Sequence, residues 1–151
     1  MSWNSINIEF VNSLLGRNLL RTDGKYTFEI LLQPTKKITE TCNKFLIDFC
    51  PSGNVRDCLT KEEAAERIFS SESLHNARAD GQISVFEEGK LNSVLIFENK
   101  LQDLFENQLK RHYELLLGIS DKKDIENSLI LVNYNSFLVY FKTVVREFVM
   151  I

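Results

Sequence analysis

Asp80, Glu88 and Lys90 are the residues of this 151-residue chain whose types and spacing come nearest to a reaction centre. Glu88-Gly89-Lys90 has the Glu-x-Lys spacing of a metal-dependent nuclease strand, with Asp80 upstream. In that chemistry the carboxylates of Asp80 and Glu88 hold Mg²⁺ through oxygen, and Lys90 orients the attacking water. The glycine argues against it. Such a triad needs a stiff strand, whereas Glu87-Glu88-Gly89-Lys90 reads as a solvated hairpin tip.

Other catalytic hardware is missing from the sequence. The six glycines never approach a phosphate-loop or dinucleotide spacing, and no Gly-x-Ser-x-Gly elbow occurs. His75 sits in the polar stretch Ser73-Leu74-His75-Asn76 and reads as a solvated loop residue. His112, beside Tyr113, reads as the edge of an amphipathic helix. Cys42, Cys50 and Cys58 are an odd set with no zinc-type pair among them, which fits reduced thiols acting as small apolar filler. The expectation is therefore a protein without catalysis, metal or cofactor.

Charge is segregated along the chain. Residues 62–106 carry ten acidic side chains against four basic ones, while the flanking segments are mildly positive and the whole chain is −3. With a pI near 5.5 and only isolated basic pairs, phosphate-backbone binding lacks its usual footprint, so no nucleic-acid partner is expected. An acidic middle selects a basic protein surface instead. Glu62, Glu63, Glu66, Asp103 and Glu106 are the candidate partner-binding residues. The expected function is a non-catalytic, cytoplasmic binding protein, most concretely an immunity protein that blocks the basic cleft of a nucleic-acid-handling toxin. Helix electrostatics supply a competing reason for part of the block, because glutamates in a first turn suit the positive end of the dipole.

The elements that would position these residues follow from periodicity. Ser5 can cap a first helix carrying Phe10, Val11, Leu14 and Leu15 on one face, with Gly16 as its stop. Lys25–Gln33 reads as a strand ended by Pro34. Ile38, Cys42, Phe45, Leu46 and Phe49 make a helical stripe, so a second helix is predicted from Thr35 to Phe49. Thr60-Lys61-Glu62-Glu63 matches a capping box opening a third. Residues 83–97 read either as a hairpin or, from Leu91, as helix. Leu101, Leu104, Phe105, Leu109, Tyr113 and Leu116 predict a helix stopped by Gly118. Residues 129–141 favour a hairpin and 142–149 a helix.

The predicted class is a single α+β domain over 1–151, helix-dominated with a small antiparallel sheet. The opening from Phe10 to Gln33, helix then strand, is loosely similar to small acidic bacterial secretion chaperones. That resemblance implies an alternative function as a homodimeric chaperone or adaptor for an apolar segment. Trp3 is the candidate exposed anchor. The N-terminal residues show no basic leader and apolar run, and Leu129–Ile151 is interrupted by Asn133, Asn135, Lys142, Arg146 and Glu147, so no membrane span is expected.

Overall fold

The apolar runs of this chain are mostly strands, and they build one five-stranded mixed sheet. A computed structural model describes residues 2–50, 59–75, 78–99 and 106–133. Helix α1 (Trp3–Leu15) leads into β1 (Tyr26–Leu32) and β2 (Asn43–Cys50). Helix α2 (Lys61–Ser70), β3 (Gly81–Glu87), β4 (Lys90–Asn99), α3 (Glu106–His112) and α4 (Lys122–Ser128) follow, then β5 (Leu129–Asn133). A π-helical turn, Tyr113–Leu117, continues α3.

The spatial strand order is β1-β3-β4-β2-β5. β3 is antiparallel to both β1 and β4, while β2 lies parallel between β4 and β5. This overturns the expectation of a helix-dominated chain with a small antiparallel sheet. Among the described residues strands take up nearly as much chain as helices, and half of the strand pairings are parallel.

The predicted helix over Thr35–Phe49 is where that expectation failed. Its stripe was produced by a strand buried on both faces, whose continuous apolar run Phe45-Leu46-Ile47 carries no period of two. Leu46 faces the helices α2, α3 and α4, packing with Ala65, Ile68, Leu109 and Tyr113. Phe45, Ile47 and Phe49 face α1, packing with Ile8, Val11 and Leu15. The segment before β2 is irregular, and the Ile38 N–H donates to the Leu116 carbonyl at 2.7 Å. The hairpin reading of 83–97 matches β3 and β4. β5 occupies the first part of the predicted 129–141 hairpin, as a strand parallel to β2. The second strand of that hairpin and the helix at 142–149 lie outside the described residues.

Local chemistry sets the element ends. Thr60 accepts the Glu63 N–H at 3.1 Å and donates its hydroxyl to the Glu63 carboxylate, so the box that opens α2 is formed. In α1, buried Asn12 accepts the Leu20 N–H and donates to the Leu20 carbonyl, both at 2.9 Å. Asn4 similarly donates to the Gly24 carbonyl and accepts the Tyr26 N–H. Two asparagines thus satisfy the backbone of the connection from α1 to β1. Among the described residues no helix is long and apolar enough to cross a membrane.

Replacing Asn12 by alanine leaves a buried donor and acceptor of Leu20 unmatched. It is expected to cost about 2 kcal/mol, read as a fall of roughly 6 °C in a thermal melt. An unchanged melting temperature contradicts this role.

Candidate active site

The hairpin tip does not assemble the triad that the sequence suggested. Glu87 and Lys90 are partners at the closing end of β3 and β4, and Glu88 and Gly89 form the turn with φ of 51° and 77°. Asp80 precedes the opposite end of β3. Seven strand residues separate it from Glu88, roughly 23 Å at the usual rise. Glu88 and Lys90 are exposed and far from Asp80.

Asp80 immediately precedes β3, whose first residue, Gly81, pairs with Phe97 of β4. Bonds to both neighbouring strands hold it at the end of β4: the Asp80 N–H donates to the Phe97 carbonyl at 3.0 Å, and the Gln33 N–H to the Asp80 carbonyl at 3.2 Å. The Asp80 carboxylate accepts the Asn99 N–H at 2.6 Å, so its bonds to β4 fall on the residues either side of Glu98. On the other side of β4, Asp48 is the register partner of Glu98. Asp48 and Glu98 thus form an acid row across β2 and β4 at one end of the sheet, with Asp80 bonded to the backbone beside it. Asp80 is open to solvent, whereas Glu98 and Asp48 are buried at 1% and 2% exposure.

The Glu-x-Lys spacing recurs here, at Glu98-Asn99-Lys100. The lysine lies outside the described residues. The sequence carried a signal for these positions that went unread: Glu98 ends the apolar run Val94-Leu95-Ile96-Phe97, and Asp48 interrupts Phe45–Phe49. A carboxylate within a core strand is expensive to bury unless it is compensated, so its presence there calls for a partner in the fold.

Helix α3 supplies the compensation. His112, expected at an amphipathic edge, is buried at 1% exposure, and its Nε2 lies 3.2 Å from the Glu98 carboxylate. The next residue, Tyr113, begins the π-helical turn, a feature often found beside functional sites. Its phenol lies between the Ile125 carbonyl (3.3 Å) and the Ser128 hydroxyl (3.1 Å). Burial raises the Tyr113 phenol far above its ordinary range, opposed in part by the Ser128 hydrogen bond, and the charge of Asp48 raises it further. The turn ends at Gly118 with φ of 65°, where a Cβ would come within 2.9 Å of the Lys37 side chain. The Leu117 carbonyl accepts from Lys44 at 3.1 Å. Lys44 belongs to β2, and the bond from the Ile38 N–H to the Leu116 carbonyl holds the segment after β1 against the same π-helical turn.

Between that segment and α3 lies a cleft of about 370 Å³, lined by Pro34, Thr35, His75, Arg78, Leu115 and Leu116, with Ala79 and His112. Ala79 adjoins Asp80 in the chain and His112 is the partner of Glu98, so the cleft borders the acid row. Among the described residues no carboxylate lines it. Among the described residues no group of three or more His, Cys, Asp or Glu side chains converges as a metal cage. A magnesium-type cation needs less, since it retains several waters and is commonly held by one or two carboxylates.

The acidic residues proposed as a partner surface are placed differently. Glu66 pairs with Lys122 at 2.7 Å, and Glu106 with Arg67 at 2.6 Å. Hydrogen bonds from Lys122 and then Ser70 hold the Glu66 carboxyl below its ordinary value. Glu63 is engaged by Thr60, Glu62 is exposed, and Asp103 lies outside the described residues. Trp3 is exposed, as are Ile30, Leu31 and Leu32 on β1. Comparison with known proteins finds no family model, no curated protein and no solved structure that matches this chain.

His112→Ala removes a buried partner of Glu98. The expected cost is about 2 kcal/mol in urea denaturation, with part recovered in His112→Gln, which restores a hydrogen-bond donor. Equal stability of wild type and His112→Ala contradicts the contact.

Proposed function

We propose that the chain is a metal-dependent phosphodiester hydrolase acting on a polynucleotide, with Asp80, Glu98 and Lys100 as its catalytic residues. The observation that supports the reading is that Asp80 bonds to the Phe97 carbonyl and the Asn99 N–H, on either side of Glu98, which stands two residues before Lys100 in the sequence and near the carboxyl end of β4, parallel to β2. Open sheets bind ligands at that edge. Asp80, solvent-exposed and anchored by the Asn99 N–H, presents its carboxylate outward. Glu98 is oriented from behind by His112.

A divalent cation held by the two carboxylates supplies Lewis-acid polarisation of a phosphoryl oxygen and a bound water of lowered pKa. The chain's own residues do the rest. Asp80 and Glu98 fix the position of the cation relative to the sheet edge. His112 is a positioning residue: its Nε2, 3.2 Å from the Glu98 carboxylate, limits the rotamers of Glu98. Lys100 has the chemistry to orient a water and to offset charge building on the phosphate.

The net negative charge does not exclude such a substrate, because a local cationic cleft steers a ligand more strongly than the chain's total charge. The reading as an acidic toxin inhibitor draws less support. Of the five carboxylates it used, Glu66 and Glu106 are matched by cations and Glu63 is engaged in a helix cap.

Purified protein incubated with Mg²⁺ or Mn²⁺ and end-labelled DNA and RNA, single-stranded and duplex, is expected to cleave at least one of them. Glu98→Gln and Lys100→Ala should each lower the rate at least a hundredfold, while Glu88→Gln leaves it within twofold. No cleavage of any substrate, or a Glu98→Gln protein as active as wild type, overturns the proposal.

A further inference from the structure

The sheet has an open edge at β1. Among the described residues no strand lies beyond it in the order β1-β3-β4-β2-β5. Backbone bonds show which of its polar groups point outward. The Gln33 N–H donates to the Asp80 carbonyl on the β3 side, so the odd-numbered residues of β1 bond to β3 and the even-numbered ones face away. Tyr26 agrees with that alternation, because its N–H donates to the Asn4 side chain of α1 at 3.2 Å. Asn4 therefore occupies the start of the edge. Beyond it, the N–H and C=O groups of Phe28, Ile30 and Leu32 find no partner among the described residues.

The side chains are bare at the same end. Ile30, Leu31 and Leu32 are 71%, 50% and 83% exposed. Ile30 and Leu32 lie on the face of Tyr26 and Phe28, which pack with the α1 cluster, and Leu31 lies on the opposite face. Edge strands are ordinarily guarded by a charge, a proline or a bulge. Between Glu29 and Pro34 there is no charge or proline, and the register with β3 runs without a shift.

We propose that this edge pairs with the same edge of a second copy of the chain, antiparallel about a two-fold axis at Leu31, so that one sheet runs through both. The inference does not rest on the hydrolase reading. What selects a second copy is the self-complementarity of Glu29-Ile30-Leu31-Leu32-Gln33. With Leu31 opposite its own counterpart, Ile30 of each copy faces Leu32 of the other, and their outward N–H and C=O groups satisfy one another. Glu29 then faces Gln33, whose amide donates to the carboxylate. Neighbouring registers do worse. An axis at Ile30 sets Leu31 against the Glu29 carboxylate, and an axis at Glu29 sets two carboxylates opposite each other. An axis at Leu32 sets Ile30 against Pro34, which has no N–H to give. A two-fold contact of this kind is closed, so association stops at the dimer.

Sedimentation equilibrium over a concentration series tests this. Wild type should pass from the 17.5 kDa chain to twice that mass. Ile30→Lys/Leu32→Lys places lysines opposite each other in this register and should remain monomeric wherever wild type is dimeric. Ile30→Lys/Leu32→Glu places lysine opposite glutamate and should dimerise. Both positions are exposed, and circular dichroism checks that the fold is kept. Leu31 falls at a non-hydrogen-bonded pair, with Cα atoms roughly 4.5 Å apart, within reach of a disulfide. Mild oxidation should therefore link Leu31→Cys into a covalent dimer, while Thr27→Cys, on the same face but off the axis, links no more than wild type. The proposal is overturned if wild type is monomeric at about 1 mM, the weak end of specific affinity, or grows beyond a dimer. It is likewise overturned if the two charge variants behave alike, or if Thr27→Cys links as fast as Leu31→Cys.

Discussion

A carboxylate in a core strand has to be compensated, and the end of this sheet is organised around that requirement at Glu98. The cost of removing the charge from water is offset by a histidine on α3, and β2 places a further acid, Asp48, in register with it. The position of α3 depends on this contact, on the burial of Tyr113 between α3 and α4, and on backbone bonds from the segment after β1. The same few hydrogen bonds hold the acid row, its histidine and the adjoining cleft together.

Four of the nine described acids between residues 62 and 106 perform local tasks. Glu63 caps α2, Glu66 and Glu106 bind cations, and Glu87 pairs with Arg21. Glu98 and Asp80 differ in setting: Glu98 is buried against His112, and Asp80 is bonded to the β4 backbone. Summed charge over the segment hides the distinction, since it counts helix caps and sheet-edge acids alike.

Part of this was legible in the sequence. Thr60 announced α2 because an N-cap is local chemistry, and Glu87-Glu88-Gly89-Lys90 was legible as a hairpin tip. The Glu-x-Lys spacing occurs twice, and the function proposed above uses the second copy. Glu88-Gly89-Lys90 and Glu98-Asn99-Lys100 are equivalent as strings, and only strand pairing separates a hairpin tip from the carboxyl end of a strand. Phe45 to Phe49 misled for a related reason, since a strand covered on both faces has no alternation to read. His112 and Asp48 owe their roles to register across the sheet and to the placement of α3, which no local window contains. The sheet's breadth followed from the same error: once residues 43–50 were assigned to a helix, the parallel half of the sheet was lost.

The measurement that bears most directly on this account is a titration of ¹⁵N- and ¹³C-labelled protein with Mn²⁺, reading paramagnetic broadening residue by residue. The account predicts saturable broadening centred on Asp80, Glu98 and His112, with Glu88 and Lys90 at the far end of the hairpin unaffected. Broadening that instead follows Glu62, Glu88 or other exposed carboxylates, or that is as strong in Asp80→Asn as in wild type, would contradict it.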